Sequence, residues 1–144
     1  MTKRIAALIF VVAAAAPLGR AAASDADLPV PVQQYEGISY YSAGVSIEER
    51  RALPVLYPLK VVFATDRGNL LCGADVTISS GGRAIFRGSA ANGPWLIVDV
   101  PPGTYDIEAV QDGTTRKAAG VRVAAGKTRT VLLRWKTTEV DMGL

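Results

Sequence analysis

These 144 residues contain no histidine and one cysteine, Cys72. Without an imidazole the chain lacks the ordinary general base of neutral-pH catalysis and the commonest metal ligand. Ser–His and Cys–His nucleophiles and histidine-bound zinc are therefore excluded. A lone thiol cannot close an intramolecular disulfide. It pairs between chains or acts as a small buried apolar residue, and burial is the expectation. A membrane-length apolar run is also missing. "IAALIFVVAAAAPLG" (5–19) falls short of the ~20 residues a spanning helix needs, and Pro17 and Gly19 close it.

That short run, preceded by Lys3 and Arg4 and followed by "AAA" (21–23), has the layout of a secretory signal. Cleavage is expected between Ala23 and Ser24, giving a periplasmic or secreted protein with no membrane span; a retained anchor is the alternative. Lys3, Arg4 and Arg20 would leave with the signal, taking the 16 basic residues to 13 against 13 acidic ones. The basic balance then belongs to export and gives no reason to expect a nucleic-acid partner. Charge is still uneven. From Gly113 to Lys136 the chain carries Arg116, Lys117, Arg122, Lys127, Arg129, Arg134 and Lys136 without one acid.

After a leader (24–58) containing the extended "LPVPV", "SIEERRAL" (46–53) reads as a short helix. Ser46 and Glu49 have capping-box spacing, and Pro54 stops it. From Leu59 to Lys136 the pattern is all β, and 137–144 reads as a tail. Strands are expected at 59–64, 74–79, 83–87, 95–100, 105–110, 120–123 and 130–135, with turns at Gly81-Gly82 and Asp112-Gly113. Seven strands in this length predict a single Greek-key, Ig-like β-sandwich. Pro101-Pro102-Gly103-Thr104 predicts a type II turn with Gly103 at positive φ, which splays the chain from one sheet to the other. Tyr105 then buries its ring and returns its hydroxyl to the bend, as in a tyrosine corner.

"GNLLCGADVTI" (68–78) and "NGPWLIVDVPPGTYDIEA" (92–109) resemble the opening and the L-P-P-G-x-Y segments of carboxypeptidase regulatory-like domains. The resemblance covers roughly 59–135 and implies a transthyretin-like (prealbumin-like) sandwich. In it Gly73, Pro101, Pro102, Gly103, Tyr105 and Trp135 are structural positions. "SYYSAGVSIEERR" (39–51) is similar to the leader of small exported bacterial single-domain proteins without an assigned activity. Enzymes on related sandwiches depend on histidines absent here, so no catalytic residue, metal site or cofactor is expected; an unrecognised histidine-free hydrolase is the residual alternative.

"GVRVAAGKT" (120–128) has the outline of a phosphate loop. Five residues separate its glycines instead of four, and a strand follows instead of a helix. Candidate binding residues are Tyr40, Tyr41 and Trp95, with Tyr35 beside them, and the outward Arg122 and Arg134. The arginines form a positive stripe if their strands pair. The alternatives are packing of the leader aromatics on the sandwich and an ordinary solvated basic face. Taken together, these features predict a non-catalytic interaction module for an envelope protein or polysaccharide. A self-associating structural subunit using an exposed edge strand, hence a homo-oligomer, is the second expectation.

Overall fold

The computed structural model describes residues 28–140, so the expected signal segment, its cleavage site and residues 141–144 lie outside it. Nine strands among the described residues form two sheets. β1 (Gln33–Tyr35), β2 (Ile38–Ala43), β6 (Trp95–Val98), β3 (Leu59–Thr65) and β9 (Arg129–Trp135) make the first sheet, in that spatial order. β5 (Arg83–Ser89), β4 (Asp75–Ser80), β7 (Gly103–Gln111) and β8 (Thr114–Val123) make the second. All pairings are antiparallel except β3 with β9. Helix α1 (Ile47–Ala52) lies between β2 and β3. No helix among the described residues is long and apolar enough to cross a membrane.

The period-two alternation of the strands explains the layers. Leu59, Val61, Phe63, Leu96, Val98, Val131, Leu133 and Trp135 of the first sheet meet Val76, Ile78, Phe86, Tyr105, Ile107, Ala109, Val121 and Val123 of the second in one core. Each of these side chains is removed from water at about 25 cal/mol per Å² of apolar surface, the main term favouring the closed sandwich.

Two strands precede residue 59, where an extended leader was expected. Glu36 and Gly37 both have positive φ, so β1 turns directly into β2 as a two-residue hairpin. Its glycine follows a glutamate, outside the Asn-Gly and Asp-Gly signals that betray such turns. β2 then pairs with β6, which makes the leader an integral part of the first sheet. Successive residues of β2 face opposite ways. Tyr40 enters the inter-sheet core edge-on to Phe86, while Tyr41 joins Ala43, Trp95 and Ile97 in a second apolar cluster on the sheet's outer side. Residues 28–32 and 53–57 cover that side through Leu28, Val30, Val32, Leu53, Val55, Leu56 and Tyr57.

In α1, Ser46 Oγ accepts the Glu49 N–H, as a cap should. The Glu49 carboxylate reaches back to the Gly44 N–H instead of that of Ser46, and Arg50 Nη1 donates to the Gly44 carbonyl. At the other terminus, Thr137–Glu139 form a 3-10 turn, and Val140 is buried in the inter-sheet core. The folded unit therefore runs past residue 136.

The bend at 99–102 carries the chain from β6 in one sheet to β7 in the other. It is not the expected type II turn. Gly103 is absent from the positive-φ residues and is already the first residue of β7, opposite Val123. A Cβ there would lie 3.3 Å from the Tyr105 hydroxyl oxygen, so a larger residue would press on the tyrosine. Tyr105 is buried, and its hydroxyl donates to the Pro101 carbonyl.

Candidate functional site

Three connections meet at one end of the sandwich: residues 55–58 before β3, the bend 99–102, and the loop 124–128 between β8 and β9. Between them lies an open groove of ≈ 490 Å³. Its size falls within the ~300–1,000 Å³ of ordinary ligand clefts. Each rim is fixed from below. The Tyr41 hydroxyl donates to the Pro54 carbonyl at 2.7 Å and accepts the Leu56 N–H at 3.0 Å, while its ring packs on Tyr57 with centroids 5.4 Å apart. Tyr105 holds Pro101 in the same way, and the Asp99 N–H donates to the Ser39 carbonyl. The Arg129 N–H donates to the Pro58 carbonyl at 2.7 Å and ties the third loop to the first.

The lining is mixed. Pro58, Pro101 and Pro102 supply rigid apolar surface over the buried Tyr57 and Val100, and Asp99 and Lys127 supply opposite charges. Both charged residues are exposed. The ion pairs among the described residues are Arg116–Glu139 and Lys117–Glu108, so neither charge is spent on a neighbour. The loop closes only through a long Lys127 N–H to Ala124 carbonyl contact of 3.4 Å, with Gly126 at φ 74°. The N–H groups of Ala125, Gly126 and Thr128 have no acceptor among the described residues. They are left to water or to a ligand.

No protein-family model matches the chain, and no curated protein is found to be similar to it. The groove is read from its own chemistry.

The residues expected to bind are elsewhere. Tyr40 and Tyr41 are buried on opposite faces of β2 and belong to packing. Tyr40 donates to the Gln33 side chain, and Tyr41 contributes to the groove only by bracing its rim. Trp95 is 9% exposed, and the Lys60 ammonium sits 3.4 Å from its ring centroid. Lys60 is itself partly desolvated, which lowers its pKa. Tyr35 is half-buried and stacks edge-on with Phe86.

Arg122 and Arg134 are exposed, but they do not share a sheet. β9 pairs with β3 and β8 with β7, so the loop 124–128 connects edge strands of different layers and no ladder joins the two arginines. Alternation along one strand predicts which way a side chain faces; it is silent about which sheet the strand joins. Cys72 is exposed, contrary to the burial expected. Its carbonyl accepts Gln111 Nε2, and Gly73 next to it donates to the Ala90 carbonyl, so this irregular segment is held by backbone contacts. Trp135 is fully buried, with its indole N–H on the Thr114 carbonyl.

Asp99 has no signal of its own in the sequence, because it is far along the chain from the loop that carries Lys127. The available signals were the glycine-bounded outline of 120–128 and the three turn-rich segments, 54–58, 99–103 and 124–128, which flank strands that begin or end at the same level of the sandwich.

Proposed function

We propose that this chain is a non-catalytic, exported interaction module of the carboxypeptidase regulatory-like, transthyretin-like type, and that it holds its partner in the groove between the three loops. The observation that carries this reading is a rigidly braced groove whose two opposite charges are unpaired. The resemblance of 68–78 and 92–109 to that family supports the fold assignment. The seven strands from β3 to β9 are the segment it covers.

The partner we favour is an envelope polypeptide. Uncharged glycans are held largely by stacking on exposed aromatic rings, and no aromatic side chain among the described residues is exposed. A polypeptide needs what the groove has: apolar walls, backbone donors and charges of both signs. The test is a photo-crosslinking amino acid at position 125 in the groove and, as control, at Thr77 on the outer face of β4, in cells that make the full chain. Adducts from position 125 that are absent from position 77 are expected. Equal adducts from both, or none from 125, would remove the groove reading.

Open strand edges favour a second reading, a self-associating subunit. β1 and β9 end the first sheet and β5 and β8 the second, each paired on one side only. On β9, Leu132 is 45% exposed.

A further inference from the structure

We infer that the groove recognises the free carboxyl end of a polypeptide, with the terminal carboxylate held at residues 125–128. This rests on the groove reading and names the chemistry of its ligand. A carboxylate presents two oxygens with about four acceptor sites. Successive backbone N–H groups in a turn that passes through a left-handed residue make an anion-binding concavity, and chain-terminal carboxylates are captured in such places.

Three features of the loop bear on that requirement. Ala125, Gly126 and Thr128 line the groove and have N–H groups without acceptors. Gly126 is in the left-handed region. Lys127 lines the same groove with an ammonium that no carboxylate of the described chain neutralises. Arg122 and Arg129, on the strand ends that flank this loop, add positive potential around it.

The remaining lining defines the rest of the ligand. Pro58, Pro101 and Pro102 offer flat surface to the last side chains, and Asp99 lies on the bend across from the loop. A lysine or arginine before the terminal residue would complement Asp99, which forms no ion pair of its own. The preferred ligand is therefore an extended chain end with a free carboxylate and a basic residue just before it.

The test uses N-acetylated Ala-Lys-Ala with a free carboxylate, the same peptide as its C-terminal amide, and N-acetylated Ala-Ala-Ala with a free carboxylate. Binding is read from amide shifts of the protein and from titration calorimetry. We expect the acid to bind at least tenfold more tightly than the amide, with the largest shifts at Ala125, Gly126 and Thr128. Lys127→Gln should erase most of that preference. Asp99→Asn should weaken the lysine peptide towards the alanine peptide while leaving the acid-over-amide preference intact. Both substitutions are at exposed positions, so folding is not at stake. Equal binding of acid and amide at the groove overturns the carboxylate assignment while leaving the groove reading in place. Shifts confined to other surfaces, or none, also overturn it, and the cross-links from position 125 then decide the groove reading separately.

Discussion

Tyr105 shows how one side chain can serve both packing and the site. Its ring closes the inter-sheet core over Gly103, and its hydroxyl holds Pro101, a wall of the groove. Tyr105→Phe keeps the ring and removes the bond, and one intramolecular hydrogen bond is worth about 0.5–1.5 kcal/mol net. A fall in stability of that size by denaturant unfolding is expected, and an unchanged midpoint would argue against the corner. Burial also raises the phenol's pKa above its ordinary 10.0. The neutral hydroxyl therefore remains the donor through neutral and mildly alkaline pH, and the contribution disappears only as the pH rises through that raised value. Gly93 depends on space in a harsher way. A Cβ there would stand 2.2 Å from the Ala43 carbonyl oxygen, a backbone atom of β2 that cannot rotate aside. Gly93→Ala should force β2 from β6 and cost about 1–3 kcal/mol, as overpacking does. A melting point equal to that of the wild type would show that the two strands separate more easily than their contacts imply.

Elements, in contrast to residues, take their meaning from what they lie beside. The terminal turn Thr137–Glu139 is held by two carboxylates. Asp66 accepts both the hydroxyl and the N–H of Thr137, and Arg116 Nη2 donates to both oxygens of Glu139. The Thr137 hydrogen bonds put Asp66 below its ordinary 3.8, and the Arg116 hydrogen bond puts Glu139 below its ordinary 4.5. A carboxylate with a lowered folded pKa contributes in full above its unfolded value, and the contribution is lost as the pH falls through the folded one. The Thr137 and Glu139 amide signals should therefore hold steady from neutrality down to pH 4.5 and move only below it. Movement centred nearer neutral pH would point to another anchor. The sequence made strands such as Asp75–Ser80 and Gly103–Gln111 readable because their inward residues alternate with polar ones between clear turns. It hid β1 and β2 because Tyr40 and Tyr41 are both buried, on opposite faces, and so break the alternation that marks a strand with one wet side. The groove was hidden for a related reason. Its walls become neighbours only when β3, β6 and β9 line up in one sheet, and pairing order is a long-range property that local pattern does not encode.

At the scale of the whole molecule, two layers with open edges face the general hazard of strand addition between copies. The distribution of charge answers it. Arg83 and Arg87 lie exposed on β5, Lys117 and Arg122 on β8, and Arg129 and Arg134 on β9, so three of the four edges carry cations. A second copy approaching edge to edge would bring like charges together, whereas a partner of opposite charge would not. This gives Arg122 and Arg134 a role without placing them in one stripe: each guards a different sheet. Leu132, exposed on β9 between Thr130 and Arg134, is where that protection is thinnest. The wild-type chain should accordingly sediment as a monomer across a wide dilution series at low salt. Arg134→Leu joins a second outward apolar residue to Leu132 and removes the flanking charge, so this variant should form dimers at concentrations where the wild type does not. High salt should move the wild type in the same direction, because it screens exposed charges beyond about 10 Å at 0.1 M. Concentration-dependent dimers of the wild type at low salt would instead favour the subunit reading, and a strictly monomeric Arg134→Leu would show that geometry, and not charge, keeps the β9 edge unpaired.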